Sequence, residues 1–339
     1  MNMIGRLALL GVLLGAQTGR PVRAQDAASE FLSHWPDKYT TSDLNDVLND
    51  FVRAGQQDTQ LMVRFTGSAA EKLLRKDVDG AIKDSISAME VEAKYAPAFV
   101  VRAVAKFAKG DGDGAIVDLT RAWEIHPDEV SLTLRGAMRC LRGDVEGAIA
   151  DCTKAAELKP AYGPAYHVRA EARLRKKDYD GGLADCDLAI KHDPRCVAAY
   201  VLRGVFKDSK SDLSAARDAF SDAIVLEPKD SDIYYLRGRV RSALDDPGGA
   251  LQDFVRAVEL NPSGPYEYGF YYRGRQRCSG GDFENGISDF DRAIELKPDF
   301  AEALYFRGMA KRAKGIKGYS QDLKQAYDLR PGLRQRPPK

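Results

Sequence analysis

The stretch AYHVRAEARLRKKDYDGGLADCDLAIKHDP, from Ala165 to Pro194, decides the fold of this chain. Apolar and small residues recur in it at steps of three and four, before and after a central cluster of lysine, aspartate and glycine. Such steps place side chains on one face of an α-helix, and the polar cluster and the closing proline are typical helix ends. The stretch therefore predicts two amphipathic helices joined by a short turn.

The same pattern recurs along the chain, and each copy closes with a proline. Successive closing prolines are separated by 33, 34, 34, 34, 36 and 33 residues. They are Pro127, Pro160, Pro194, Pro228, Pro262, Pro298 and Pro331, and Ala93 stands at this position in the first copy. A period near 34 residues is typical of an array of helical hairpins.

Small residues keep the same register in the first helix (helix A) and the second helix (helix B) of every hairpin. In helix A they are Ala69, Ala103, Gly136, Ala170, Gly204, Gly238, Gly274 and Gly308. In helix B the first site holds Ala81, Ala115, Ala148, Gly182, Ala216, Ala250 and Gly286, with Tyr319 in the last copy, and the second site holds Ala88, Ala122, Ala155, Ala189, Ala223, Ala257, Ala293 and Ala326. In these residues the chain resembles the tetratricopeptide repeat family, and the resemblance covers eight repeats over about residues 62–331.

The resemblance implies an all-α fold, a right-handed superhelical solenoid of helix-turn-helix hairpins. A single hairpin cannot bury its own apolar face, so the repeats must stack on their neighbours. Within an N-terminal segment of residues 25–61, Thr41 to Gly55 predicts a helix that caps repeat 1. Residues 332–339 form a Pro/Arg-rich tail that we expect to be too short to cover the last hairpin.

Residues 1–24 have the pattern of a signal peptide. Arg6 precedes the apolar run Leu7 to Leu14, and Val22 to Ala24 provides a small-residue cleavage site. We therefore expect a mature chain that begins near Gln25 and is exported to the periplasm or the medium. No later apolar run is long enough to predict a membrane-spanning helix.

The charge balance argues against a nucleic-acid-binding protein. Without the three arginines of the leader, the chain has 48 Lys and Arg against 50 Asp and Glu, a net charge of about −2 with neutral histidine. Proteins built to hold nucleic acid usually have a strong basic excess. We therefore expect no nucleic-acid partner, and the protein or peptide partner that we expect is implied by the family resemblance.

The five cysteines are too sparse to predict a disulfide framework. Their number is odd, and they lie inside helical patterns, so buried thiols are expected. Cys152 and Cys186 occupy equivalent positions one repeat apart, farther than the roughly 7 Å Cα separation that a disulfide allows. A bridge among Cys140, Cys196 and Cys278 stays open.

Two basic residues four positions apart recur in helix A, as in Arg102 with Lys106 and Arg135 with Arg139. They share a helix face with the small residue, and helix B carries an aspartate between its two small sites, so we predict a ladder of Arg–Asp pairs. The pairs are Arg102 with Asp118, Arg135 with Asp151, Arg169 with Asp185, Arg237 with Asp253, Arg273 with Asp289 and Arg307 with Asp322. Repeat 5 has Ala219 at the aspartate position. The ladder is interpreted as structural in preference to a basic stripe for a polyanion, because the aspartates follow the arginines.

The opposite face of helix A is the ligand groove that the family resemblance implies. In repeats 6 to 8 this face combines tyrosine with arginine, two residue types that are common at interaction hot spots. The groove candidates are Tyr235, Arg239, Tyr271, Arg275 and Tyr305. They favour an extended peptide or an acidic segment as ligand.

The sequence contains no recognisable catalytic or cofactor-binding motif. The four histidines form no metal-binding pattern, and Lys109 to Ala115, which resembles the start of a calcium loop, is interpreted as a repeat turn. We therefore expect no cofactor and no enzyme, but a scaffold for protein–protein interaction in an exported compartment. The alternative is a structural or regulatory subunit of an envelope assembly or secretion complex that docks through the C-terminal face. The sequence leaves the oligomeric state open.

Overall fold

Paired α-helices make up the chain in the computed structural model, which describes residues 48–56 and 60–335. The predicted signal peptide, most of the N-terminal segment and the end of the tail lie outside the described residues. Residues 48–56 are helical, and a 3₁₀ helix covers Pro331–Gln335. The helices between them are α1 (Leu61–Leu74), α2 (Val78–Val91), α3 (Ala96–Ala108), α4 (Gly112–Ile125), α5 (Glu129–Leu141), α6 (Val145–Leu158), α7 (Gly163–Lys176), α8 (Tyr179–His192), α9 (Val197–Ser209), α10 (Leu213–Leu226), α11 (Ser231–Ala243), α12 (Pro247–Leu260), α13 (Glu267–Ser279), α14 (Phe283–Leu296), α15 (Ala301–Ala313) and α16 (Tyr319–Leu329).

The helices belong to two units, which divide after Ser211 in the turn of repeat 5. In the first unit α1/α2, α3/α4, α5/α6 and α7/α8 pair as hairpins, and each helix B also packs on the helix A that follows it. In the second unit α11/α12, α13/α14 and α15/α16 pair as hairpins, and α12 and α14 also pack on the helix A that follows. The all-α class and the repeated hairpin are therefore confirmed.

In seven of the eight hairpins the turn ends with an aspartate that caps helix B, whereas Gly318 precedes helix B of the last hairpin. Asp111 accepts a hydrogen bond from the backbone N–H of Gly114 at 2.8 Å, and equivalent aspartates cap α2, α6, α8, α10, α12 and α14. Before Asp111, Gly110 has a φ of 92°, a left-handed value that ends helix A. The calcium-loop-like stretch is thus the turn between α3 and α4.

The small residues lie where the helices cross, as their register predicts. Ala103, Ala115 and Ala122 have no exposed surface, and neither do their counterparts in helix B of the other repeats where these are alanine. Gly182 shows why one such site is glycine, because a Cβ there would lie 2.1 Å from Cζ of Phe206 in α9. The ring of the next repeat occupies the space that alanine fills elsewhere.

Both ends of the described chain are covered by short helical segments. Residues 48–56 cross α1 at a pair of glycines, where a Cβ on Gly55 would lie 2.7 Å from Cα of Gly67, and Leu48 is buried against repeat 1. At the other end Leu333 is only 3% exposed and packs with Leu304 and other residues of the last hairpin. The expectation that the tail would leave this hairpin uncovered is therefore corrected, since the 3₁₀ helix places Leu333 on it.

Candidate functional site

The arginine of helix A lies against the aspartate of its own helix B. Arg135 donates from Nε and Nη2 to the two carboxylate oxygens of Asp151, at 2.8 and 2.6 Å, and Arg139 donates to the same carboxylate at 2.8 Å. Five other repeats have the bidentate pair: Arg102 with Asp118, Arg169 with Asp185, Arg237 with Asp253, Arg273 with Asp289 and Arg307 with Asp322. The arginine forks are thus filled by carboxylates within the protein, which favours the structural interpretation of the ladder.

The aspartates of the ladder are the more deeply buried partners. The side chains of Asp185 and Asp253 are 1% and 4% exposed, whereas those of Arg169 and Arg237 are 12% and 14% exposed. A carboxylate at such a depth requires a cation beside it, because an unpaired charge in the core is costly. In the six repeats with the pair, the arginine therefore neutralises the buried aspartate.

Repeats 1 and 5 have different partners at the ladder positions. In repeat 1, Ser68 takes the arginine position and donates to Asp84 at 2.6 Å, while Lys72 lies 2.7 Å from the same carboxylate. In repeat 5, Nη1 of Arg203 lies 4.0 Å from Asp187 of the preceding helix B. The bidentate pair is therefore replaced by other polar contacts in repeats 1 and 5.

The ladder arginines also reach the preceding hairpin, which the sequence analysis missed. Nη1 of Arg135 donates to Oγ1 of Thr120 at 3.1 Å. Equivalent bonds join Arg169 to Thr153, Arg237 to Ser221 and Arg307 to Asp291. Each acceptor stands two residues after the ladder position of the preceding helix B. The polar residue that recurs at this position is the feature of the sequence that could have predicted these bonds. The arginine thereby joins successive repeats as well as the two helices of one repeat.

The last rung of the ladder, Asp322, should make the stability of the last hairpin depend on pH. Burial alone would raise the pKa of Asp322, but its bonds to Arg307 and Lys311 outweigh burial and hold the pKa below its usual value. Such a carboxylate stabilises the fold above the unfolded-state pKa of about 4, and this contribution is lost as the pH falls. In urea unfolding, Asp322→Asn is expected to be destabilising at pH 7 and to approach wild type as the pH falls below about 4.

Asp328→Asn is the control for this prediction, because Asp328 is exposed on the same helix. It should cost little at any pH. A difference between wild type and Asp322→Asn that stays constant with pH would contradict the assigned role of the ion pair.

The cysteines are free thiols, and most are buried. Burial raises the pKa of Cys140 to about 12 and raises the pKa values of Cys152, Cys186 and Cys278. Thiols of this kind are poor nucleophiles.

Among the described residues, no group of three or more His, Cys, Asp or Glu is arranged to hold a metal ion. The helices in that part of the chain also lack the combined length and apolar character of a membrane-spanning segment.

The groove candidates differ in exposure. Tyr271 and Tyr305 are 7% and 6% exposed, which corrects the expectation that their rings lie open on the groove surface. The ring of Tyr271 packs on Phe300 and Phe306 of the next hairpin, with centroids 4.9 and 5.9 Å away, and Tyr305 packs on Tyr327 of α16. These rings reach past their own helix into the core between hairpins.

The other three candidates retain exposed surface. Tyr235 and Arg239 on α11 are half-buried, and Arg275 on α13 is exposed. Together with the half-buried Tyr268 and Met309, they define what we call the A-helix surface, the side of α11, α13 and α15 that carries these five residues.

An insertion in repeat 7 links α13 to α11 beside this surface. Pro262 and Pro298 are 36 residues apart, and the extra residues precede Tyr266. Oη of Tyr266 donates to Asp232 at 2.5 Å and lies 2.8 Å from Oγ of Ser231. Burial, together with the charge of Asp232, raises the pKa of this phenol. The ring also contacts Tyr235, with centroids 5.1 Å apart.

Aromatic rings support the A-helix surface from below. Adjacent rings in this set have centroids 4.9 to 5.9 Å apart, as in Tyr271–Phe300 and Tyr271–Phe306. We call the set the aromatic platform; its members are Phe254, Tyr268, Tyr271, Tyr272, Phe300 and Phe306. The guanidinium carbon of Arg275 lies 4.6 Å from the ring centroid of Phe306. The platform therefore holds a cation at the surface, a contact that repeat spacing alone did not predict.

Comparison with known proteins is consistent with this architecture. A family model described as tetratricopeptide repeat matches residues 207–265. A solved tetratricopeptide repeat protein from Parabacteroides merdae ATCC 43184 is 17% identical over 79% of this chain and 99% of its own, with a TM-score of 0.52. A structure from a study of Pseudomonas aeruginosa pilF is 13% identical over 68% of this chain and 97% of its own, with a TM-score of 0.53. At these identities the likeness shows the fold alone.

A third structure, YrrB, is described as a tetratricopeptide repeat protein with an unusual peptide-binding site. It is 26% identical over 53% of this chain and 92% of its own, with a TM-score of 0.43. The search of curated proteins gave no match.

Proposed function

Because this chain is a tetratricopeptide repeat protein, we propose that it is a non-enzymatic scaffold that holds a segment of a partner protein on its A-helix surface. Tetratricopeptide repeats are typically interaction scaffolds, which supports the general class. The observation that carries the choice of surface is the exposed Arg275 resting on the aromatic platform. Arginine and aromatic side chains dominate binding energy at protein interfaces.

The properties of the A-helix surface suit an extended segment. Tyr235 and Tyr268 offer half-buried rings, and Met309 offers a flexible apolar side chain. The rings beneath are packed against one another and cannot move independently, so little ordering of the surface is needed when a ligand binds. In contrast, the ladder arginines have their donors filled by Asp and are poor candidates for a ligand.

The proposal places this binding in an exported compartment, the periplasm or the medium. It rests on the leader pattern of residues 1–24, with Arg6, the run Leu7 to Leu14 and the Val22 to Ala24 cleavage site. The partner is therefore expected among proteins of that compartment.

A site-specific photo-crosslinking experiment tests surface and compartment together. In the full chain expressed in its own cells, p-benzoylphenylalanine replaces either Met309 on the A-helix surface or Arg292 on α14. The side chain of Arg292 is 42% exposed. We expect ultraviolet light to give a discrete adduct from position 309, recovered in the exported fraction, and none from position 292. Size-exclusion with light scattering then gives the mass of the complex.

A third substitution tests the alternative, in which the protein docks through its C-terminal face. Tyr319 begins the last helix and is 39% exposed, so it reports on that end of the described chain. An adduct from position 319 alone would favour an assembly subunit that docks there, and an adduct from position 292 alone would move binding to the helix-B side. Either result would overturn the choice of the A-helix surface.

A further inference from the structure

Cys196 differs from the other four cysteines in its place in the fold. It is half-buried in the turn between α8 and α9, where it is the residue that precedes α9. In repeats 2 to 4 and 6 to 8 this position holds an aromatic residue or an aspartate, as in Tyr162 and Asp230. The side chain of Cys196 accepts no capping hydrogen bond from α9. Its sulfur is therefore not engaged in capping the helix.

A buried histidine of the preceding repeat faces this sulfur. Sγ of Cys196 lies 3.9 Å from Nδ1 of His167 in α7, close enough for a weak hydrogen bond between thiol and imidazole. His167 is only 3% exposed, so the packing of the repeats holds its ring in place. A thiol beside an imidazole can pass its proton to the ring nitrogen, which leaves the nucleophilic thiolate. Cys196 and His167 thus form a pair of nucleophile and base.

The start of α9 is also a favourable place for a negative charge. α9 covers Val197–Ser209, and the first N–H groups of an α-helix place partial positive charge at its N-terminus. Reactive cysteines are commonly found at helix N-termini and next to histidine. A thiolate at position 196 would meet both features at once.

The charged groups on the neighbouring elements have partners of their own. On α7, Glu171 lies 3.1 Å from Arg175. In the turn before α9, Asp193 accepts a hydrogen bond from the backbone N–H of Arg195 at 2.9 Å. At the end of α8, the ring of His192 stacks on a tyrosine of α7, with centroids 5.7 Å apart. The imidazole that faces the sulfur is therefore the group that can take its proton.

The other four thiols have different surroundings. Three of them have no exposed surface, and burial raises their pKa values. Cys278 is half-buried, as Cys196 is, but burial and the charges of Asp282 and Asp289 raise its pKa. Cys278 is therefore a matched reference, a half-buried thiol beside carboxylates in place of an imidazole.

We propose that Cys196 is a modification site, the thiol through which this protein takes up a small disulfide as a mixed disulfide. The proton of Cys196 passes to Nδ1 of His167, and the thiolate attacks one sulfur of the disulfide. The S–S bond of the disulfide breaks, a new S–S bond joins Cys196 to one half, and the other half leaves as a thiolate. The disulfide is itself the oxidant. This site lies on α7 and α9, away from the residues of the A-helix surface.

Reaction of the reduced full chain with glutathione disulfide tests this inference. Samples quenched with acid are digested, and mass spectrometry gives the rate at which each cysteine forms the adduct. At pH 7 we expect Cys196 to react at least about tenfold faster than Cys278. In urea that unfolds the chain the two rates should become similar, because the fold no longer holds His167 beside Cys196.

Three variants assign the reactivity to the pair. Cys196→Ser should lose the fast adduct, and Cys278→Ser should keep it. His167→Gln should slow the reaction of Cys196 by about tenfold at pH 7 and by less at pH 9, where an unassisted thiol is largely ionised. Circular dichroism checks that each variant is folded. If His167→Gln is not, the comparison of Cys196 with Cys278 in the native and the unfolded wild type decides.

The outcomes that would overturn this inference are distinct from those of the crosslinking test. Equal rates for Cys196 and Cys278 in the folded chain would remove the reactive site. A rate of Cys196 that is unchanged in His167→Gln, or that falls equally at pH 7 and pH 9, would show that the imidazole does not take the proton. A failed adduct at position 309 would leave the thiol chemistry untouched.

Discussion

Replacing Asp151 by alanine is expected to lower the free energy of unfolding of the first unit by about 3–5 kcal/mol, the usual effect of breaking a buried ion pair. The side chains of Arg135 and Asp151 are only 10% and 6% exposed, and Arg139 shares the carboxylate. Without Asp151, two cations remain near the core without their partner. Because Arg135 also bonds Thr120 of the preceding hairpin, the loss should loosen the stacking of repeats 2 and 3. Urea unfolding followed by circular dichroism measures the change.

The control for this prediction is Asp113→Ala in the same unit. Asp113 pairs with Arg142 at 2.8 Å, but its side chain is 78% exposed, so its loss should cost below about 1 kcal/mol. If Asp151→Ala cost no more than Asp113→Ala, the ladder would not be structural and the basic-stripe interpretation would return. Replacing Arg135 and Asp151 together by apolar residues should recover part of the loss, because no unpaired charge remains at the Arg135 position.

Phe206→Ala is expected to destabilise the first unit by about 3–5 kcal/mol. The ring has no exposed surface and fills the space above Gly182 in α8. Gly182→Ala should cost about 1–3 kcal/mol, because its new methyl group would overlap that ring. Thermal and urea unfolding of both variants measure the two values.

The double variant Gly182→Ala/Phe206→Ala distinguishes shared space from two independent effects. With the ring removed, the methyl group added at position 182 no longer overlaps it and fills part of the cavity, so the double variant should cost less than the sum of the single changes. Ala216→Gly in α10 removes a methyl group at the equivalent site of repeat 5, where Val240 stands at the position of Phe206, and provides a reference for the intrinsic cost of glycine in helix B. Strict additivity would mean that the ring and Gly182 do not compete for space.

The candidate site shows how far a sequence pattern reaches. Helical spacing correctly placed the basic residues of the ladder opposite Asp118, Asp151 and their counterparts, because both positions are set by one short hairpin. The same spacing predicted the direction of the Cα–Cβ bond at Tyr271 but not the position that its ring reaches. A tyrosine ring extends far enough to meet the next hairpin, and Phe300 and Phe306 lie some thirty residues later in the chain.

The sequence by itself determined the class of fold, the repeat and the pairs within each repeat. Period, small crossing residues, aspartate caps and closing prolines are local features, and each acts within about one hairpin. Only the tertiary structure decided which groove residues stay exposed, how Arg135 reaches Thr120, and why Gly182 faces Phe206. These contacts join different repeats, so they depend on how hairpins stack. For the same reason Arg275 became the centre of the proposed site only when Phe306 of the next hairpin was placed beneath it.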